Sequence, residues 1–409
     1  MDLLVKPTKF RHGNAWREVR ARASDDPRVR RLLAGGGQLN FVRDRWLAWR
    51  DALLQKPGFI RWASRFPLTK PMARRRTREL FDLAAGFVYT QILTTCVRLN
   101  LFEHLRSGPK TVKSLAQALD LPVNSVRTVV KGAQALDLIE ERGDERYGLG
   151  QLGAALLANP GVIAMVHHHA LLYQDLRDPV ALLRDPSSAT SLSRYWAYAQ
   201  DSVPDALPAE SVASYSQLMA SSQDFICAEV LDAYPVTRHQ QLLDIGGGEG
   251  RFAEAAMMRS KKIKATVFDL PAVAERAELR FADAGFAQRG GVIGGDFFVD
   301  SLPQMADLVT LVRVLHDHDD DKARKLLDQA HSALLPGGTV VIAEPMADTP
   351  GAKKAGDAYF GFYLMAMRSG RPRTFGEIKR FLADAGFDNV REHQTSNPLL
   401  TRVISAKVL

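Results

Sequence analysis

The sequence predicts an α/β chain in which a doubly wound sheet over residues 239–409 follows a mostly helical winged-helix module, and three observations carry this. From residue 240 onward, short β-branched runs alternate with helical segments: QLLDI, KATVFDL, GGVIGGD, DLVTLVRVL, TVVIAEP, NVREH and LTRVISAKV. The first of these runs leads through a glycine-rich turn, LLDIGGGEGRF, into a helix start. Upstream, TVKSLAQALDLPVNSVRTVVKGAQALDLIEERGDERYGLG reads as two short amphipathic helices, a longer one, and a hairpin turning near Gly143 and Asp144.

Taken in order, residues 1–80 form a basic, aromatic-rich extension. They hold 20 Lys and Arg against 7 Asp and Glu, a net charge of +13, which leaves −5 for the rest of a chain whose total is +8. Trp46, Trp49, Phe59, Trp62 and Phe66 interleave with these cations. Aromatics among arginines suit a membrane interface; an arm packed on the body or on a second copy explains them equally. Residues 81–150 make the winged-helix domain, opened by FDLAAGFVYTQILTTCVRLNLFEHL, whose apolar residues on most faces call for burial in a core or a dimer interface. Its presumed recognition helix carries only Arg127 and Lys131 as cations, which argues for a packing module and against nucleic acid. Residues 151–238 read as a helical connector with loops near 184–190 and 201–209, and residues 239–409 as the sheet domain. The two cysteines, Cys96 and Cys227, match no zinc or disulfide framework, and no signal-peptide core or apolar run near the roughly 20 residues of a membrane span is evident. The expected location is cytoplasmic.

The glycine-rich turn suits a nucleotide-like ligand, but a dinucleotide fingerprint counted from Gly246 would place its third glycine at Arg251. Asp269, 25 residues past Asp244, ends the next strand, where a carboxylate accepts both ribose hydroxyls; Asp296 and Phe297 follow the strand after it, an acid and a ring for an adenine amine and face. Helix-capping aspartates explain any one of these positions, but not the set. Asp244, Asp269, Asp296, His316 and Glu344 each end a predicted strand, on the rim where such sheets bind ligands. Gly246 and Gly248 let the backbone approach closely, and no basic residue lies within the turn before Arg251, which disfavours a pyrophosphate. An amino-acid tail with an ammonium, as in S-adenosylmethionine, fits better.

These motifs together resemble the class I S-adenosylmethionine-dependent O-methyltransferases of the plant caffeate and bacterial small-molecule type, from about residue 80 to 409: LLDIGGGEGRF, VFDLP, GGDFF, RVLHD, LLPGGTVVIAEP and RTFGEIKRFLADAGF. FDLAAGFVYTQIL and GDAYFGFYLMAMRSGRPRT are further similar to the hydroxyneurosporene, or demethylspheroidene, O-methyltransferases of carotenoid synthesis in purple bacteria. The resemblance implies a Rossmann-like methyltransferase sheet with a winged-helix dimerisation domain, a homodimer, S-adenosylmethionine as cofactor with S-adenosylhomocysteine as product, no metal, and a hydrophobic small-molecule acceptor. It implies His316 as general base with Asp317 and Glu344 beside it, and Asp244, Gly246, Gly248, Asp269, Leu270, Asp296, Phe297 and Arg313 around the cofactor. An acyclic hydroxycarotenoid acceptor would put the protein at the surface of an inner or photosynthetic membrane; a phenol, quinone or polyketide hydroxyl is the competing acceptor. Pro372 stands where the plant enzymes carry a glutamate, and His318 where a tryptophan is usual.

The stretch RVLHDHDDD, residues 313–321, first suggests a metal, because His316 and His318 share a face if extended. No further ligand converges on them, and the successive residues His167, His168 and His169 diverge by about 100° each on a helix. Asp319 to Asp321 are expected to cap the following helix. From DAYFGFYLMAMRSG, Phe362, Tyr363 and Met367 are the expected acceptor-pocket residues, with ordinary core packing as the alternative. A nicotinamide oxidoreductase and a ligand-sensing winged-helix regulator are the rival functions.

Overall fold

A computed structural model describes residues 42–196 and 223–409. The first 41 residues of the basic arm and the loop expected at 201–209 lie outside the described residues. The chain divides into two compact units, Met1–Tyr89 and Thr90–Leu409.

The 29-residue helix Lys70–Arg98 contains a continuous apolar stretch and is, by length and composition only, long and apolar enough to cross a membrane, contrary to the sequence expectation. Its last turns bury Thr94, Cys96 and Val97 in the winged-helix core. That core is completed by helices Leu101–Arg106, Val112–Leu119 and Val123–Ala135 and by a small sheet of β1 (Lys110–Thr111), β2 (Ile139–Glu141) and β3 (Arg146–Leu149), in the order β1-β3-β2. The β2–β3 turn passes through Gly143, Asp144 and Glu145, all at positive φ, as the hairpin signal required. Thr111 caps the second helix by accepting from the Ser114 N–H. The connector is helical, with Pro160–Asp175 as its longest described helix.

The large sheet runs β6-β5-β4-β7-β8-β10-β9, with β4 (Gln241–Ile245), β5 (Lys264–Asp269), β6 (Gly290–Gly294), β7 (Ala306–Val312) and β8 (Leu334–Glu344) parallel. β10 (Arg402–Val408) is antiparallel to both β8 and β9 (Phe387–His393). Apolar clusters cover both faces: Phe252, Phe281 and Val267 belong to one, Leu311, Leu326 and Ile342 to the other. Successive strands leave β4 in opposite directions, so the crevice at the sheet's switch point opens over the carboxyl ends of β4 and β7.

β7 ends four residues before His316, earlier than the run DLVTLVRVL suggested. Arg313 takes a left-handed φ of +60°, which breaks the strand, and Leu315–Asp317 forms a 3₁₀ turn. This turn has no ladder to satisfy its carbonyls, and the segment Ser369–Arg373 supplies the donors. The Ser369 hydroxyl donates to the Asp317 carbonyl at 2.6 Å, and the Arg371 N–H to that of His316 at 2.9 Å. Arg373, whose side chain is 0% exposed, donates to the carbonyls of Leu315 at 2.7 Å and His318 at 2.6 Å and pairs with the Asp320 carboxylate at 2.9 Å. The acids expected to cap helix Asp320–Ala333 therefore act partly elsewhere: Asp319, at the N-cap position, makes no capping bond and accepts from the Gly370 N–H at 3.0 Å, and Asp320 binds Arg371 and Arg373.

Gly370 is held at φ +75°, and a Cβ there would lie 2.0 Å from the His316 carbonyl oxygen. Gly370→Ala is expected to lower the unfolding temperature by several degrees, from left-handed strain of about 1–2 kcal/mol plus the clash, and to reduce turnover. Gly361→Ala, at a helical position with nothing within 4 Å of the new Cβ, serves as the control and should leave both unchanged or improve stability slightly. Equal thermal shifts in the two variants would remove the argument.

Candidate active site

The glycine-rich turn begins where β4 and β7 lie side by side. Asp244 is opposite Thr310 in register, is buried, and accepts from the Thr310 hydroxyl at 2.5 Å through Oδ1. Its Oδ2 has no hydrogen-bond partner among the described residues and lies beside Gly247, where a Cβ would approach it to 2.5 Å. Burial, with the nearby charge of Asp269, pushes the Asp244 carboxyl up to about 7. Gly246 and Gly248 have φ of +66° and +59°, and nothing lies within 4 Å of a Cβ placed on Gly248. The turn thus leaves open space beside an unsatisfied buried acid.

Asp269 closes β5 and faces the same turn. Its Oδ2 accepts from the Gly248 N–H and its Oδ1 from the Leu270 N–H, both at 2.8 Å, while burial raises its carboxyl to about 6. Each oxygen keeps a second lone pair for a ligand hydroxyl. Asp296, two residues beyond β6, accepts from the Phe298 N–H at 2.8 Å, and Phe297 beside it is partly buried. The structure gives His318, left without a role by the sequence, a definite place: it is buried edge-on to Phe297 at 5.7 Å and Phe298 at 4.9 Å. Burial lowers His318 to about 3, so the ring is neutral, and its Nδ1 has no partner among the described residues.

His316 points the other way, into a buried acid pair. Its Nδ1 lies 3.3 Å from Glu344 Oε2, which also accepts from the His316 backbone N–H at 3.0 Å, and its Nε2 lies 3.2 Å from Asp317 Oδ1. Burial alone would lower the imidazole pKa; Asp317 and Glu344 outweigh it and hold the group above its ordinary value. Glu344 is fully buried at the end of β8, and its Oε1 has no partner among the described residues. His316 and His318 therefore have different surroundings and do not converge, and among the described residues no group of three or more His, Cys, Asp or Glu is arranged to hold a metal ion.

Arg313, expected beside adenosine, is close enough to His316, Asp317, Tyr359 and Tyr363 for its charge to act on all four. These tyrosines come from a π-helical segment, Lys354–Phe360, and the helix Gly361–Met367 that continues it. Phe360 lies edge-on to the His316 ring at 6.0 Å. Tyr363 is buried, its hydroxyl accepting from Trp196 Nε1 at 3.0 Å and hydrogen-bonded to His168 Nε2 at 2.7 Å, while His169 pairs with Tyr359 at 2.8 Å. Burial lowers His168 to about 4, so its ring is neutral. Of the three expected pocket residues, Met367 and Tyr363 are buried in one apolar cluster with Leu192 and Trp196, whereas Phe362 is 46% exposed and Phe360 takes the place beside His316. Residues 354–360 are wound as a π-helix and 361–367 as an α-helix, so the angular spacing of their side chains changes at Gly361.

The residues present fit S-adenosylmethionine: an unsatisfied buried carboxylate for an ammonium, open backbone at Gly248, and an acid with free lone pairs at the next strand end. Residues 173–388 match the O-methyltransferase domain and residues 81–159 the O-methyltransferase dimerisation domain. The latter supports homodimer formation and takes in the exposed apolar residues Phe81, Leu83 and Phe87 of the long helix. The chain is 38% identical over 344 residues to demethylspheroidene O-methyltransferase of Cereibacter sphaeroides, covering 84% of this chain and 90% of that one. It is also 38% identical over 379 residues to the protein of the same name from Rhodobacter capsulatus, covering 91% and 90%. Human N-acetylserotonin methyltransferase, solved in complex with S-adenosylmethionine, superposes with a TM-score of 0.66 at 25% identity, over 81% of this chain and 97% of that one. On the domain matches, these relatives and the geometry of the glycine-rich turn, the chain belongs to the S-adenosylmethionine-dependent O-methyltransferases of class I.

Proposed function

We propose that this O-methyltransferase methylates the tertiary hydroxyl of an acyclic hydroxycarotenoid, with His316 as the base. The acceptor reading is carried by the 38% identity, over most of the chain, to two proteins named demethylspheroidene O-methyltransferase. The aromatic surroundings of His316, with Phe360, Tyr359 and Tyr363 close by, suit an apolar guest.

When bound, the cofactor supplies a methyl group on an electrophilic sulfonium. Asp244 Oδ2 with Gly246 and Gly248 would hold its ammonium end, Asp269 and Leu270 its ribose, and Asp296, Phe297 and His318 its adenine. On the other side of the crevice the acceptor hydroxyl takes the place of Asp317 at His316 Nε2, while Glu344 keeps Nδ1 and so the orientation of the ring. As the methyl group passed from the sulfonium to the hydroxyl oxygen, leaving the thioether S-adenosylhomocysteine, His316 Nε2 would take the hydroxyl proton. A tertiary alcohol is far too weak an acid for imidazole to ionise beforehand, so proton transfer accompanies methyl transfer. Asp317 and Glu344 stabilise the imidazolium that results. Arg313, close enough for its charge to act on His316 and Asp317, opposes that protonation and offsets part of the rise that burial gives the Asp317 carboxyl.

The acceptor is tested by incubating the pure protein and S-adenosylmethionine with hydroxylated acyclic carotenoids in detergent and, in parallel, with phenols. A methyl ether formed on the carotenoid at the higher kcat/KM supports the reading; methylation of phenols alone replaces it. His316→Ala should leave cofactor affinity within about twofold and lower turnover by about 10²- to 10⁴-fold, the usual span of general-base help; unaltered turnover removes the base assignment. Because Asp317 and Glu344 hold His316 above its ordinary value, kcat/KM should rise with pH as His316 loses its proton. Asp317→Asn, which removes one raising charge, should move that limb to lower pH, and a limb that stays in place would show that His316 does not titrate in it.

A further inference from the structure

Residues 42–68 fall outside both matched domains and form part of the N-terminal unit. They fold into the helix 42–54 and the helix Pro57–Ala63, followed by a turn to Thr69. At about 100° per residue, Val42, Trp46, Trp49 and Leu53 share one stripe of the first helix, Arg43 and Arg50 border it on one side and Arg45 on the other, and Asp44 and Asp51 lie on the opposite face. The stripe is uncovered in the single chain: Trp46 is 56% and Trp49 61% exposed. In the second helix Trp62, 50% exposed, stacks on Phe66 at 5.0 Å with their planes 13° apart. An open cleft of about 570 Å³ is lined there by Gly58, Arg61, Trp62, Arg65, Phe66 and Pro67. Among the described residues no carboxylate pairs with Arg61 or Arg65.

We propose that residues 42–68 are a docking surface for an anionic lipid bilayer, with Trp46, Trp49 and Trp62 entering the interface and Arg43, Arg45, Arg61 and Arg65 meeting lipid phosphates. A water-facing helix has no use for two half-bare tryptophans on one stripe, and a protein partner or a packing face would not by itself require cations on both borders. An interfacial helix requires both: an apolar stripe reaches below the headgroups, and guanidinium groups beside it stay at phosphate level. Charge complementarity selects anionic lipid, because residues 42–89 carry 11 Lys and Arg against 4 Asp and Glu. Arg50 lies over the Trp46 ring at 5.8 Å and pairs with Asp51 at 2.6 Å, so it acts as a brace within the helix and not as a phosphate contact. The surface goes beyond the acceptor reading, and would deliver the enzyme to any acceptor dissolved in the bilayer.

The test is co-sedimentation of the full chain with phosphatidylcholine vesicles and with equimolar phosphatidylcholine–phosphatidylglycerol vesicles, neither containing carotenoid. Binding to the anionic vesicles should exceed that to the neutral ones by about tenfold or more and weaken as salt is raised. Trp46→Ala/Trp49→Ala/Trp62→Ala and Arg61→Glu/Arg65→Glu should each lose most of that binding while binding S-adenosylhomocysteine like the unaltered protein, which shows that the sheet domain is folded. Failure of the unaltered protein to sediment with anionic vesicles overturns the proposal, as does undiminished binding by both variants. Salt-sensitive binding to duplex DNA without binding to vesicles overturns it in favour of a nucleic-acid face. Since the vesicles hold no acceptor, either result leaves the carotenoid assignment to its own experiment.

Discussion

The site depends on one polar clasp. Four successive carbonyls, from Leu315 to His318, are in a turn that belongs to no strand or long helix, and each receives a hydrogen bond from the segment Ser369–Arg373. Burying a guanidinium costs several kcal/mol unless its donors are met. Arg373 meets them with two carbonyls and the Asp320 carboxylate, with the Phe381 ring 5.4 Å from its guanidinium carbon. The geometry that turns His316 toward Glu344 and His318 toward Phe297 is therefore set by residues more than 50 positions away in sequence.

That turn also separates two electrostatic neighbourhoods. On the cofactor side, Asp244 and Asp269 are buried acids whose ionisation is resisted by burial, so a cationic guest beside Asp244 Oδ2 gains from the carboxylate it restores. In the other, His316 is held between Asp317 and Glu344, and the two carboxylates raise its affinity for a proton against the effect of burial. The parallel pairing of β4 with β7 brings both neighbourhoods to one crevice, because Asp244 and the chain leading to His316 leave adjacent strand ends.

Much of the fold was legible because its signals are local. Alternating apolar runs placed the strands that became β4 to β10, and Gly143 with Asp144 placed the hairpin turn of the winged helix. The strand ending at Val312 rather than at Leu315 was not legible, since nothing in RVLHD reveals that Arg313 adopts a left-handed conformation. The long helix Lys70–Arg98 was similarly under-read: Asp82 and the arginines at its start interrupt the apolar pattern, and the length of its apolar window emerges only when the helix is seen to be continuous.

By itself the sequence determined the class of chemistry. Asp244 with its glycines, Asp269 and Asp296 mark a nucleotide-like pocket through their distances from strand ends, and the resemblance of these motifs, with RVLHD, to class I methyltransferases supplies the chemistry. Only the tertiary structure decided that Phe360 rather than Phe362 lies beside His316, that His168 and His169 bind tyrosines, and that Asp319 and Asp320 brace a loop instead of simply capping a helix. These are long-range hydrogen bonds and side-chain directions, set by which buried donors find acceptors once the chain has packed, and no local pattern carries that information.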